Sequence, residues 1–195
     1  SPREVTRNPG HYARPAFSPN GRTIVFEKGE GGHLTSRAWS ENPGVYRVPA
    51  AGGAPELVAR GMSAPQFGSA NDRLFMTAAK EGKQQLVSAD LDGEAQRVHA
   101  DGELVADYFV APDGMAFAFR QNYEAFVMPL MPGGQAVSTD TKGAPMPVTR
   151  VSSGGANWVH WSEGGAKLNW SVGPIVYSVP AADVFPTAPA GEKAA

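Results

Sequence analysis

Pro15-Ala16-Phe17-Ser18-Pro19-Asn20-Gly21-Arg22-Thr23-Ile24-Val25-Phe26 decides the fold, because a version of it returns three more times in the 195-residue chain. Phe17 is answered by Phe67, Val110 and Trp161, at steps of 50, 43 and 51 residues. Each anchor is followed by a turn-forming cluster (SPNG, GSAN, APDG, SEGG) and then by a short apolar run (TIVF, RLFM, MAFAF, KLNW). An apolar run that enters, a Pro and Asn-Gly or Asp-Gly reversal, and an alternating run that leaves spell a β-hairpin. Pro19 and Pro112 preset φ at about −65°, and Asn20-Gly21 and Asp113-Gly114 are suited to the positive φ a tight reversal demands. Strands and turns recurring every 40 to 50 residues or so predict propeller blades.

A second hairpin follows the first within each copy. Tyr46-Arg47-Val48 alternates, Ala50 to Gly53 turns and Glu56 to Ala59 leaves; Gln85 to Ala89, Asp92-Gly93 and Ala95 to Val98 repeat the order. The third copy runs through Ala116 to Phe119 and Glu124 to Met128 to a turn at Pro132-Gly133-Gly134, and its last strand, Val148 to Val151, is delayed by an insertion at 138–145 expected to project as a loop. Two hairpins make the four strands of a blade. The expected fold is therefore all-β, a β-propeller of four-stranded antiparallel blades occupying 1–179, with copies near 11–60, 61–101, 102–152 and 153–179. Residues 3–7 read as an isolated outer strand that would complete the last blade against 175–179. Residues 180–195, rich in Ala and Pro, read as a linker or tail.

With 42% apolar residues, 23 Gly and 17 Pro, the composition is that of a globular chain with many turns and short strands. A formal charge of −2 gives no electrostatic reason to expect nucleic acid as a partner. No stretch reaches the roughly 18 apolar residues of a membrane helix, and the first ten residues lack signal-peptide character. The absence of Cys removes disulfides, thiolate metal sites and a cysteine nucleophile.

The runs PAFSPNGRTIVFE (15–27) and VYRVPAAGGAPELVA (45–59) resemble the repeat of TolB-type β-propellers, and the resemblance extends to about Val179. FGSAND (67–72) departs from it, lacking that repeat's Ser-Pro-Asp-Gly turn. The segments from Asp107 to Gly134 and from Val151 to Val179 are similar to the propeller that precedes the metal-dependent hydrolase domain in certain exported amidohydrolase-family proteins. The resemblance implies a periplasmic or secreted location and a module of a larger hydrolase, any metal belonging to a domain downstream. Counting strands allows a closed ring of four blades if 3–7 pairs near 175–179, whereas TolB-type rings usually have six or more, so the resemblance implies instead an arc of a larger ring whose free blade edges favour self-association.

Candidate chemistry within the chain is sparse. GxSxG, HExxH, P-loop and GxGxxG patterns are absent, as is the His-x-His pair of the amidohydrolase metal site. His11, His33, His99 and His160 are dispersed, and none has a second ligand at metal spacing. Asp90-Leu91-Asp92-Gly93-Glu94 fails the rest of a calcium loop and reads as a hairpin turn. No catalytic residue, metal ligand or cofactor is therefore assigned. Trp161 shares the anchor position and is expected to pack between blades, whereas Trp158 and His160 face differently. Together with Arg14, Gln66 and Asp107, at comparable places on the inner strands, they are the candidates for lining a central channel. The expected partner there is a protein, a peptide or a neighbouring domain of the same polypeptide. Three functions stay open: a non-catalytic module of a hydrolase, a self-contained TolB-like binding protein, and an enzyme with its site in the channel.

Overall fold

The computed structural model describes residues 4–6, 10–29, 42–131, 133, 135–140 and 146–185. The connection holding Arg37 and Trp39, His33, most of the 138–145 insertion and the 186–195 tail lie outside them. The chain forms four antiparallel sheets arranged as a four-bladed β-propeller. The first blade is His11–Phe17 (β1), Thr23–Gly29 (β2), Gly44–Pro49 (β3) and Glu56–Ala59 (β4), and the second is Met62–Phe67 (β5), Arg73–Lys80 (β6), Lys83–Asp90 (β7) and Arg97–Gly102 (β8). The third takes Val105–Val110 (β9), Ala116–Gln121 (β10), Glu124–Pro129 (β11) and, as its outer strand, Thr149–Arg150 (β13). The fourth is Asn157–Ser162 (β14), Lys167–Val172 (β15) and Ile175–Pro180 (β16).

The repeated turns are built by shared chemistry. Gly21 N–H donates to Ser18 O and Gly114 N–H to Ala111 O, each at 2.8 Å. In these two turns only the glycines take positive φ, 69° at Gly21 and 74° at Gly114. Asn20 and Asp113 instead accept a hydrogen bond on Oδ1 from the backbone two residues on, at 3.0 Å from Arg22 and 2.9 Å from Met115. The turns of neighbouring blades then touch: Asn20 N–H donates to Asn71 Oδ1 at 2.8 Å, and a Cβ at Gly114 would come within 2.8 Å of Ser69 Oγ. That last contact is one a side chain at 114 would break.

Three apolar seams hold the blades together. Val25, Val45 and Val58 of the first blade meet Phe67, Leu74 and Met76 of the second. Phe75 and Leu86 meet Val110, Phe117 and Phe119. Ala118, Ala125 and Val127 meet Val159, Leu168 and Trp170. Each anchor thus closes onto the blade before it, which explains why Phe67 is 8% exposed and Phe17, at the free flank of the first blade, 63%. That flank is instead covered by an aromatic row in which Phe26 lies between Tyr12 and Tyr46, at centroid distances of 5.4 and 5.9 Å. The free flank of the last blade is polar where its counterparts are apolar. Asn169 stands eight residues past Trp161, as Val25, Phe75 and Ala118 do past their anchors, and donates to Ser162 Oγ at 2.9 Å.

Three expectations require correction. Glu4 to Thr6 form no strand, and among the described residues β16 pairs only with β15; Val5 alone offers too little apolar surface to offset the cost of ordering an outer strand. Arg3 and Arg7 lie outside the described residues. The insertion does not begin as a free loop, because Val137–Ser138 (β12) pairs parallel with β8 and gives the second blade a fifth strand. The domain also does not end at Val179. Ala181–Val184 (α1) forms one helical turn that seats Val184, 2% exposed, in the third seam, where Thr149 Oγ1 donates to its carbonyl at 3.2 Å. Among the described residues no helix is long and apolar enough to cross a membrane.

Candidate functional site

The four inner strands, β1, β5, β9 and β14, converge on a cavity of about 530 Å³. Its wall is set by one repeated feature. Three residues before the anchor, Arg14, Ala64 and Trp158 adopt φ of 51°, 50° and 52°, and the strand register breaks there in β1, β5 and β14. These are β-bulges with a left-handed residue that is not glycine, a conformation that costs roughly 1–2 kcal/mol per residue. The bulges swing all three residues onto the cavity, where Asp107, at the same position in β9, joins them. In β9 the register irregularity falls beside Asp107, which itself pairs regularly with Arg120.

Neighbouring side chains answer the bulges. Ala64 N–H donates to Glu27 Oε2 across the first seam at 3.1 Å. His160 Nδ1–H donates to Trp158 O at 2.9 Å, so the imidazole folds back on its own strand and brackets the tryptophan. The cavity carries two guanidiniums and one carboxylate. Arg120 Nη2 lies 2.6 Å from Asp107 Oδ2, and Arg14 Nη2 3.8 Å from Asp107 Oδ1, a span that joins the first blade to the third. Arg120 Nη1 also reaches Asn157 Oδ1 at 3.5 Å. Ala64, Pro65, Phe109 and Val159 supply apolar wall, and Trp158, 85% exposed, stands at the mouth.

Of the channel candidates, Arg14, Gln66, Asp107 and Trp158 line this cavity, and His160 does not. The alternation that placed His160 there is broken by the bulge at Trp158. Gln66 lines the wall as a clamp between blades, its Nε2 donating to Tyr108 O at 2.9 Å and its Oε1 accepting from Val110 N–H at 2.8 Å. The positions that do correspond are Arg14, Ala64, Asp107 and Trp158. Trp161 packs in the third seam, with Nε1–H donating to Phe109 O at 2.9 Å. Arg120 and Asn157 were missed, although counting the hairpin register from Val110 and Phe117 places Arg120 opposite Asp107. Among the described residues no three His, Asp or Glu side chains gather at metal-holding distance.

No family model and no curated protein matches the chain. Solved structures share its fold. TolB from Acinetobacter baumannii is 14% identical with a TM-score of 0.57, over 80% of this chain and 36% of that one. A candidate TolB from Agrobacterium tumefaciens is 16% identical with a TM-score of 0.66, over 91% and 61%. A gluconolactonase from Xanthomonas campestris is 16% identical with a TM-score of 0.60, over 91% and 59%. The chain thus spans roughly a third to three fifths of these proteins, and the likeness establishes a TolB-like propeller fold.

Proposed function

We propose that this chain is a non-catalytic, TolB-like propeller module that receives a peptide or protein segment at the mouth formed by β1, β5, β9 and β14. The observation that carries the reading is the convergence of Arg14, Ala64, Asp107 and Trp158, three of them held in a left-handed conformation, on one cavity. Strained backbone kept at equivalent places in separate blades is the mark of a surface shaped for contact rather than for stability. The side chains there also suit a segment of chain. An exposed indole and an apolar wall accept a hydrophobic side chain, while Asp107 and the two arginines pair with polar or charged groups beside it. None of the lining residues forms a nucleophile and base pair.

The wider setting rests on the sequence resemblance of 107–134 and 151–179. On that basis the module belongs to an exported, periplasmic or secreted polypeptide of the amidohydrolase family, where it docks a partner or the neighbouring domain. Selection of a random peptide library on the purified chain tests the binding reading. Enriched peptides should bind at micromolar affinity and lose about tenfold on Trp158→Ala or Asp107→Asn. Peptides that bind both variants as well as the parent would place the interaction elsewhere and overturn it.

A further inference from the structure

A second cavity, of about 240 Å³, opens at the seam between the second and third blades, at the end where the β5–β6 and β9–β10 turns meet. Arg73, Phe75, Ser88, Arg97 and His99 line it from the second blade and Gly114 from the third, and no carboxylate is among its lining residues. It brings a buried polar chain into a seam whose cluster of buried side chains is mainly apolar. Ser88 is fully buried and His99 is 9% exposed.

The hydrogen bonds fix the protons. Arg73 Nε–H donates to Ser88 Oγ at 3.0 Å, and since a guanidinium cannot accept, the hydroxyl proton is left for His99 Nε2 at 2.6 Å. An imidazole that accepts at Nε2 is neutral and carries its proton on Nδ1. Burial first, then the charges of Arg73 and Arg97, lower the His99 pKa to about 4, which agrees with that tautomer. His99 Nδ1–H has no acceptor among the described residues, although the ring lines the cavity. Arg73 likewise spends its donors on neutral oxygens, Ser88 Oγ, Ser88 O and Ala95 O, and makes no ion pair among the described residues. The result is a small half-enclosed space with positive charge, an unmet N–H donor and no carboxylate among the residues that line it.

We propose that this seam cavity is a binding site for a small oxyanion, held by the Nδ1–H of His99 and the positive charge of Arg73 and Arg97. Charge-assisted hydrogen bonds of this kind are the strong ones, and phosphate and carboxylate are the groups guanidinium geometry suits. An oxyanion here would bridge β6 and β8 where the third blade packs on the second, tying occupancy to the integrity of the seam.

The test is an NMR titration of the intact chain with sodium phosphate, sodium acetate and sodium chloride at constant ionic strength. It follows the His99 ring resonance, assigned by His99→Phe. Phosphate should shift that resonance saturably at millimolar concentration and raise the titration midpoint of His99 by about one pH unit, since a bound anion favours the imidazolium. Arg97→Gln, at an exposed position on the cavity wall, should weaken binding about tenfold. Saturation by acetate at a lower concentration than phosphate would identify the oxyanion as a carboxylate, the reverse a free phosphate-type ion, and either supports the site. A His99 resonance unmoved by both salts, or moved equally by chloride, overturns it, as does binding that Arg97→Gln leaves unchanged.

Discussion

Replacing Phe67 and Phe17 by Ala, one at a time, separates the seams from everything else the sequence encodes. The two residues occupy the same place in the repeat, at the end of the inner strand before the turn, and pair with Leu74 and Ile24 in the same register. They differ in what covers them. Phe67 sits against Val25, Val45, Leu74 and Met76 at 8% exposure, so truncation removes a buried ring and leaves a cavity between two sheets. Such a change costs about 3–5 kcal/mol, a large part of the roughly 5–15 kcal/mol that holds an ordinary domain folded. Phe17, at 63% exposure, gives up mostly surface already in water, and its loss should cost about 1 kcal/mol or less. Urea unfolding followed by far-ultraviolet circular dichroism reads both, with a lower midpoint at constant slope expected for Phe67→Ala. Equal costs for the two substitutions, or a larger one at Phe17, would refute the reasoning that each anchor closes onto the blade before it.

The remaining predictions follow from particular residues. Ala64→Gly should raise stability by about 1 kcal/mol in the same urea assay, because glycine relieves the left-handed strain at φ 50°. Gly102→Ala should lower it by about 1–3 kcal/mol, since a Cβ there would overlap Thr139 Oγ1 and lie 2.7 Å from Val105 Cγ2, and hydrogen exchange should show β12 released from β8. His99 makes stability depend on pH with a definite sign. Its pKa is lowered in the fold, so the unfolded chain binds the proton first, and stability should fall as pH drops from about 6.5 toward 4, by up to about 3 kcal/mol. Thermal melts across that range should show a shallower fall in His99→Gln than in the parent, and parallel curves would contradict the assignment.

Much of the fold was legible because its signals are local. The anchors, the Pro-Asn-Gly and Pro-Asp-Gly turns and the alternating runs need only a few consecutive residues, and the strands fall where those residues point. What escaped depended on distant partners. The pairing of Val137–Ser138 depends on the open edge of β8, a blade away, and two residues carry no pattern of their own. Val184 is buried only because the third seam receives it. At the site, Arg14, Asp107 and Trp158 could be placed by their distance from the anchors, but the bulges could not. Left-handed backbone announces itself through Gly or Asn, and here it falls on Arg, Ala and Trp. Strict alternation therefore sent His160 toward the channel, and the choice of polar side chains passed over Ala64. The Ser88 and His99 pair was invisible for a related reason, since its members lie eleven residues apart and meet only across the β7–β8 ladder.

The account turns on the first and third blades meeting over a shared mouth, where the Arg14 guanidinium comes within 3.8 Å of the Asp107 carboxylate. The chain has no cysteine, so Arg14→Cys with Asp107→Cys gives a single reactive pair. Treatment of the dilute monomer with a bismaleimide of about 8 Å reach should join residues 14 and 107 within one chain, read by mass spectrometry of the linked peptides. A chain in which both cysteines are modified singly, with no link between them under native conditions, would contradict the convergence on which the binding site depends.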